Sequence, residues 1–273
     1  MTFQPFVLGT GLSGWSILNA TLATQKAAFN GAGQTSSDSV YFRERFADIN
    51  TPEDIVSDRR LMRVVLGAYG LSDDIENRYF IKTVMAEGAI DPDALANRLS
   101  DRRYKTLAQD FDFSVAPPMH KQIPGLSNKT IENFQNQSFE IEIGKADVDM
   151  RLALGFSREL KNLWQTSSSN NSGWFQILAT PPLREVLQTS LGLPTAFSHL
   201  DIDVQHERIQ DKARRVFGTS DLSEMTSEQL VDQIIRRFLV VRQSDALNSS
   251  TSLQNALTLL NAIPKRPGEL GQF

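Results

Sequence analysis

An all-α fold, made of a duplicated helical unit whose two halves pack on each other as one compact multi-helix body, is predicted by three observations on this chain. The stretches Ile55–Ile75 and Ile177–Phe197, 122 positions apart, repeat the same helix start, apolar face and helix stop. Helical caps and stripes recur along nearly the whole length. The one alternating segment, Phe139-Glu140-Ile141-Glu142-Ile143, has no strand partner nearby and reads as helix.

The elements follow in order. A first helix is expected after Gly14, with Leu18, Leu22, Gln25 and Phe29 on one face. Thr51-Pro52 opens a short helical turn leading into the first repeat. There Asp58 is expected to cap the helix with its side-chain oxygen. Leu61, Val64, Val65, Ala68 and Tyr69 make one buried stripe, and Gly70 stops the helix in the left-handed region with Leu71 folded back on the last turn. The second copy has Thr180 at the cap and Pro181 at the first helical position, where its missing N–H costs nothing. Leu183, Val186, Leu187, Ser190 and Leu191 follow, then Gly192 and Leu193, with Ser190 the one polar lapse. Ile55/Ile177, Leu61/Leu183, Val64/Val186, Gly70/Gly192 and Leu71/Leu193 are identical pairs. A weaker third echo starts at Ser100-Asp101-Arg102-Arg103 and has Phe113 in the place of the glycine.

Between and after the copies, Ile75, Tyr79, Phe80 and Val84 predict a helix ended by Gly88. Asp91-Pro92 predicts an N-cap and first position of a short helix through Leu99. Pro117, Pro118, Pro124 and Gly125 mark the connection between halves. Ile131 and Phe134 open the second half, and Leu152, Phe156, Leu160 and Leu163 make a strongly amphipathic helix; Thr166–Gly173 reads as a polar loop. Ile202, His206, Ile209, Ala213 and Val216 share a helical face. Thr226-Ser227-Glu228-Gln229 has the form of a capping box before Leu230, Ile234 and Phe238. Leu253, Leu257 and Leu260 mark a last helix, and a loose tail is expected from Pro264. The organisation read from these signals is a low-charge N-terminal segment and helix (1–38), a first helical half (39–128), a second half (129–245) and a C-terminal helix and tail (246–273).

With 273 residues, 40% hydrophobic and 22% charged, the chain has the composition of a globular protein with a sizeable core. Its net charge of −4 gives no electrostatic footprint for nucleic acid. Cysteine is absent, so disulfides and thiolate metal sites are excluded. No positive residue precedes Lys26 and no apolar core follows it, so a cleaved secretory signal is not expected. The longest obvious apolar run, Phe238–Val241, is too short for a transmembrane segment. Charge is uneven: Lys26 is the only charged side chain through Ser37, and Asp245 the only one from Gln243 through Ile263.

Five features could carry chemistry. Gly9-Thr10-Gly11-Leu12-Ser13-Gly14 fits G-x-G-x-x-G, but a dinucleotide fold needs a second strand and an acidic residue about 20 positions on. The region Asn30–Asp38 offers no strand, so a lead-in to the first helix is the reading, and Trp15 stands where a nucleophile elbow at Ser13 would need glycine. His199, Asp203 and His206 are the best metal-ligand or hydrolase candidates, since imidazole and carboxylate at helical spacing suit divalent ions. Against that, Asp201 and Asp203 suit a helix N-terminus, and His206 lies between Ile202 and Ile209 on an apolar face. The doublets Arg59-Arg60, Arg102-Arg103, Arg214-Arg215 and Arg236-Arg237 could grip anions, but they sit among acidic residues on separate helices. Asp110 and Asp112, two positions apart, point away from each other on a helix and make no acid–base pair. Trp15, Trp164 and Trp174 read as packing anchors. No catalytic, cofactor or metal residue is assigned, and the expectation is a protein that is not an enzyme.

As an ordered set, several short motifs resemble a family. They run Gly14-Trp15, Tyr41-Phe42, the Gly-Leu stop at Leu71, Ala96-Asn97-Arg98-Leu99, Asp101-Arg102-Arg103-Tyr104 and Arg151-Leu152-Ala153-Leu154. Gly173-Trp174, Pro182-Leu183-Arg184, Leu191-Gly192-Leu193-Pro194 and Asp201-Ile202-Asp203 complete it. Over roughly residues 3–245 the chain resembles a bacterial family of undefined biochemical activity, often encoded beside flagellar genes. The resemblance implies an association with flagellar assembly or motility and flagellar components as protein partners; it supplies no catalytic residues. A cytoplasmic protein is expected, or alternatively one of the flagellar basal body exported without a cleaved signal.

Overall fold

In the computed structural model, which describes residues 3–262, the described residues form fifteen α-helices, three 3₁₀ turns and no strand. The chain is all-α, as its periodicity predicts. It divides into two units. The first comprises the chain up to Gly9 together with Ser13–Arg158, the second Thr10–Leu12 together with the chain from Glu159 on.

The first unit is entered by α1 (Gly11–Asn30), whose Trp15, Leu18, Gln25 and Phe29 are buried, so its apolar stripe docks on its own core. The glycine motif before it is a turn: Gly9 has φ +82°, and its carbonyl oxygen lies 2.7 Å from where a Cβ on Gly14 would stand. The extended segment ahead of α1 is held by one side chain. The Phe6 amide donates to Gln25 Oε1 (2.9 Å), while Gln25 Nε2 donates to the Phe6 carbonyl (3.2 Å) and to Thr21 Oγ1 (2.9 Å).

Then come α2 (Gly33–Arg45), α3 (Pro52–Ser57), α4 (Arg59–Ala68), α5 (Arg78–Glu87), α6 (Leu95–Arg98), α7 (Arg102–Asp110), α8 (Met119–Gln122) and α9 (Leu126–Ala146). Thr51 and Asp54 close a full capping box at the start of α3. The expected helix from Asp91-Pro92 is corrected: Asp91 turns its carboxylate to the Asp93 amide (2.9 Å), Asp91–Ala94 becomes a turn, and α6 starts four residues later. Helix α9 absorbs Phe139–Ile143, as the lack of a strand partner predicts. It runs close against α4, because Gly67 has no Cβ; one there would stand 2.6 Å from the Phe134 ring. Phe42, Ile55, Met62, Val65, Leu66, Ile81, Phe111 and Phe134 fill this core.

The division between units falls within α10 (Val148–Thr166), further along the chain than the 128/129 junction drawn from the sequence. The polar loop expected over Thr166–Gly173 shrinks to Ser167–Ser169, because Ser169 Oγ accepts the Ser172 amide (3.2 Å) and starts α11 early. The second unit continues with α11 (Asn170–Ala179), α12 (Pro181–Ser190), α13 (Ile202–Phe217), α14 (Leu222–Met225) and α15 (Glu228–Ala262). Trp174, Ile177, Val186, Leu187, Phe197, Ile209, Leu222, Ile234 and Phe238 are buried. Trp174 donates its Nε1–H to the Ser220 carbonyl (2.9 Å). The capping box expected at Thr226 does not form; the Thr226 hydroxyl donates to the Ser223 carbonyl (2.8 Å) and closes α14 instead.

The two matched helices, α4 and α12, start and stop where their sequences place them. Asp58 accepts from the Arg60 and Leu61 amides at 2.8 and 3.2 Å. Thr180 occupies the equivalent cap position without capping: its hydroxyl donates back to the Gln176 carbonyl (2.8 Å), and Pro182, second in the helix, lacks one of the amides the cap would have served. Both stripes are buried apart from partly buried Tyr69, and Ser190 is accommodated by donating to the Leu187 carbonyl (3.0 Å). Each helix ends in a Schellman motif. Leu71 and Gly70 amides bond the Leu66 and Gly67 carbonyls, and Leu193 and Gly192 amides bond those of Gln188 and Thr189. Gly70 and Gly192 have φ of +70° and +64°. A Cβ on Gly192 would meet nothing within 4 Å, so Gly192→Ala isolates the backbone cost. It is expected to destabilise by about 1 kcal/mol, read as a lowered midpoint in a thermal melt.

No helix among the described residues is long and apolar enough to cross a membrane. The side chains of Leu253, Leu257 and Leu260, and the tail from Pro264, lie outside the described residues.

Candidate functional site

The residues singled out for metal or hydrolytic chemistry are not gathered into a site. Among the described residues no three His, Asp, Glu or Cys side chains are grouped to hold a metal ion. His199 is exposed at the end of a 3₁₀ turn, and Asp201 caps α13 by accepting the Asp203 amide (2.9 Å). His206 stacks flat on Phe175, with ring centroids 4.1 Å apart and planes at 6°, and Gln210 Nε2 lies 2.9 Å from its Nε2. The helix-start chemistry of Asp201 and the packing of His206 account for this cluster as it stands.

Every arginine doublet has at least one member engaged inside its own unit. Arg59 pairs with Glu76 (2.7 Å), Arg103 with Asp101 (2.6 Å), Arg214 with Asp211, and Arg236 with Asp232 (2.6 Å). Arg237 Nε donates to the Ser190 carbonyl. Arg60 and Arg63 converge on Asp38, which is only 3% exposed and therefore needs both. Arg60 also lies 4.1 Å over the Tyr41 ring, whose hydroxyl donates to Asp58 (2.6 Å). Burial opposes the charge on Asp58, but the Tyr41 hydroxyl and the two helix amides outweigh it and hold its pKa below the usual carboxylate value. Two more tyrosine–aspartate pairs brace this unit: Tyr69 to Asp110 (2.7 Å) and Tyr104 to Asp74 (2.6 Å). Burial and the neighbouring carboxylate push both phenols upward.

Asp110 and Asp112 serve separate partners, but not by helical spacing: α7 ends at Asp110 and Asp112 lies beyond it, with a use the sequence did not disclose. It is 1% exposed and accepts from the Ala89 amide (3.1 Å), the Ser114 amide (2.8 Å) and the Ser114 hydroxyl. It thereby ties the end of α5 to the loop that follows α7.

That loop leads to the most unusual titratable group, His120 on α8, which sequence reasoning missed. The imidazole is 0% exposed and boxed by three phenylalanines. Phe111 stacks on it at 5.5 Å, Phe46 meets it edge-on at 5.4 Å and Phe113 is tilted at 5.2 Å. Nε2 lies 3.1 Å from the Ile49 carbonyl oxygen, while Nδ1 has no partner. Burial pulls its pKa down to about 4. The signal that could have found it is the spacing of Phe111 and Phe113 ahead of a proline-restrained stretch. A shallow cleft of about 320 Å³ elsewhere in this unit is lined by Glu87, Asp91, Asp93, Ala94 and Arg98. Glu87 and Asp91 already accept the Leu95 and Asp93 amides there, so the cleft is a by-product of capping.

Comparison with known proteins adds a family and a fold. A family model described as "Protein of unknown function (DUF1217)" matches residues 68–231, more than half of the chain. A crystal structure of a protein from Agrobacterium tumefaciens is similar at a TM-score of 0.69 and 25% identity, covering 88% of this chain and 96% of that one. No curated protein matches the chain.

Proposed function

The chain belongs to the family of unknown function DUF1217, and from that premise we propose that it is a non-enzymatic structural or assembly-interaction protein of the bacterial flagellum. The word flagellum rests on the motif resemblance from Gly14-Trp15 to Asp201-Ile202-Asp203. Interaction rests on one observation about α15. This helix is 35 residues long, its buried face is filled as far as Leu239, and Gln243 to Leu247 are all exposed, Leu247 at 63%. Beyond Leu239 it continues to Ala262, over a sequence in which Asp245 is the only charge from Gln243 through Ile263. Such a helix is marginal alone and is stabilised by a partner surface. We read α4 and α12, with their shared stops, as the marks of a duplicated unit. The partners are flagellar components, reached in the cytoplasm or at the basal body after export.

Deletion of the gene is expected to impair swimming, and cross-linking of the tagged protein in cell and basal-body fractions to recover a flagellar component. Normal swimming with no flagellar partner recovered would overturn the assignment. Removal of residues 250–273 is expected to abolish that cross-link while the far-UV circular dichroism of the remaining helices keeps its melting midpoint.

A further inference from the structure

We propose that His120 is a proton-operated latch: proton uptake at Nδ1 releases α8 from the Ile49 carbonyl and frees the 111–125 segment, while the rest of the first unit stays folded. A carbonyl oxygen can only accept, so Nε2, 3.1 Å from Ile49 O, carries the hydrogen in the neutral ring and Nδ1 is a bare lone pair. That lone pair faces no donor. Protonation would turn it into a charged N–H inside a box of Phe46, Phe111 and Phe113, with nothing to accept it.

The charged groups on the surrounding elements do not relieve this. Asp48 is paired with Arg45 (3.2 Å), Asp110 accepts from Tyr69, and Asp112 is turned to Ala89 and Ser114. Lys121 donates to Asn50 (2.6 Å) and its positive charge opposes a second one on the adjacent ring. Helix α8 has four residues, too few to stand alone. Besides the buried Phe111 and the Asp112 carboxylate on the Ala89 amide, the segment is tied by the Met119 amide to Asp112 O (2.8 Å), Lys121 to Asn50, and the Phe113 amide to Met85 O (3.0 Å).

The closed-state pKa of about 4 lies below the usual histidine value of 6.5, so the open state binds the proton more tightly. The closed state has its full advantage above pH 6.5 and loses it as the pH falls towards 4. Between pH 7.5 and pH 5 the opening constant should rise roughly 30-fold.

Hydrogen exchange of the full chain, corrected for intrinsic rates, tests this. The Phe113, Met119 and Ile123 amides should gain that opening at pH 5, while the α4 and α9 amides do not. His120→Phe fills the box without a titratable nitrogen and should abolish the rise, and His120→Gln should do the same. An unchanged opening constant in the wild type, a rise shared by every amide of the unit, or a rise that survives in either variant would overturn the latch. Should His120→Phe fail to fold, the wild type and His120→Gln decide between these outcomes.

Discussion

Gly88→Ala is expected to destabilise the first unit by roughly 3–5 kcal/mol, because two separate penalties fall on one methyl group. The first is conformational. Gly88 ends α5 at φ +67° and ψ −154°, a region that is essentially closed to residues with a Cβ. Asparagine, which tolerates the left-handed helical region, gives no escape at this ψ. The second is steric, since the new Cβ would stand 2.1–2.2 Å from the carboxyl atoms of Asp112. Asp112 cannot swing away cheaply: it is buried and holds Ala89 and Ser114. Urea unfolding followed by circular dichroism should show a large fall in midpoint. In an Asp112→Ala background the steric part disappears, so Gly88→Ala should then cost only about 1–3 kcal/mol. Equal costs in both backgrounds would mean that the overlap with Asp112 contributes nothing.

Arg158→Ala is expected to cost about 3–5 kcal/mol by stranding a buried charge. Glu140 on α9 has a side chain 6% exposed and is gripped from α10 by Arg158, through Nε at 3.2 Å and a terminal nitrogen at 2.8 Å. Lys26 lies nearby, but it spends its ammonium on Asn136 (2.9 Å), and burial lowers its pKa despite the attraction of Glu140. It does not replace a two-point grip. Glu140→Gln combined with Arg158→Met removes both charges at similar volume and should recover most of the loss in the same unfolding measurement. If the double variant is as unstable as Arg158→Ala alone, the stranded charge is not the cause.

Those two sites show where sequence reading stops. The caps and stops of α4 and α12 are legible because they are local: Asp58, Gly70, Pro181 and Gly192 act on residues within one or two turns. Even there Thr180 misleads, since its hydroxyl has a nearer acceptor behind it in Gln176. Glu140 and Arg158, 18 positions apart, look like ordinary surface charges until two helices bring them together. Asp38 likewise sits in a polar run and is buried only because Arg60 and Arg63 reach back to it over 22 and 25 positions. His120 is hidden for the same reason: its box is assembled from Phe46, Phe111 and Phe113, of which only two are near it in sequence. The candidates that local patterns did offer, Gly9–Gly14 and His199 to His206, resolve into a turn and a capped helix. Short motifs are satisfied by local backbone needs before any chemistry is required.

The hold of Gln25 on Phe6 has a consequence for what may stand at the head of the chain. Both bonds end on the main chain of residue 6, and the phenylalanine ring itself is 44% exposed. The clamp therefore registers where the polypeptide runs and is blind to what it carries. Nineteen residues share the amide hydrogen it requires, and proline alone lacks it. Position 6 is free to drift in identity while its path stays fixed by a side chain on the helix behind it.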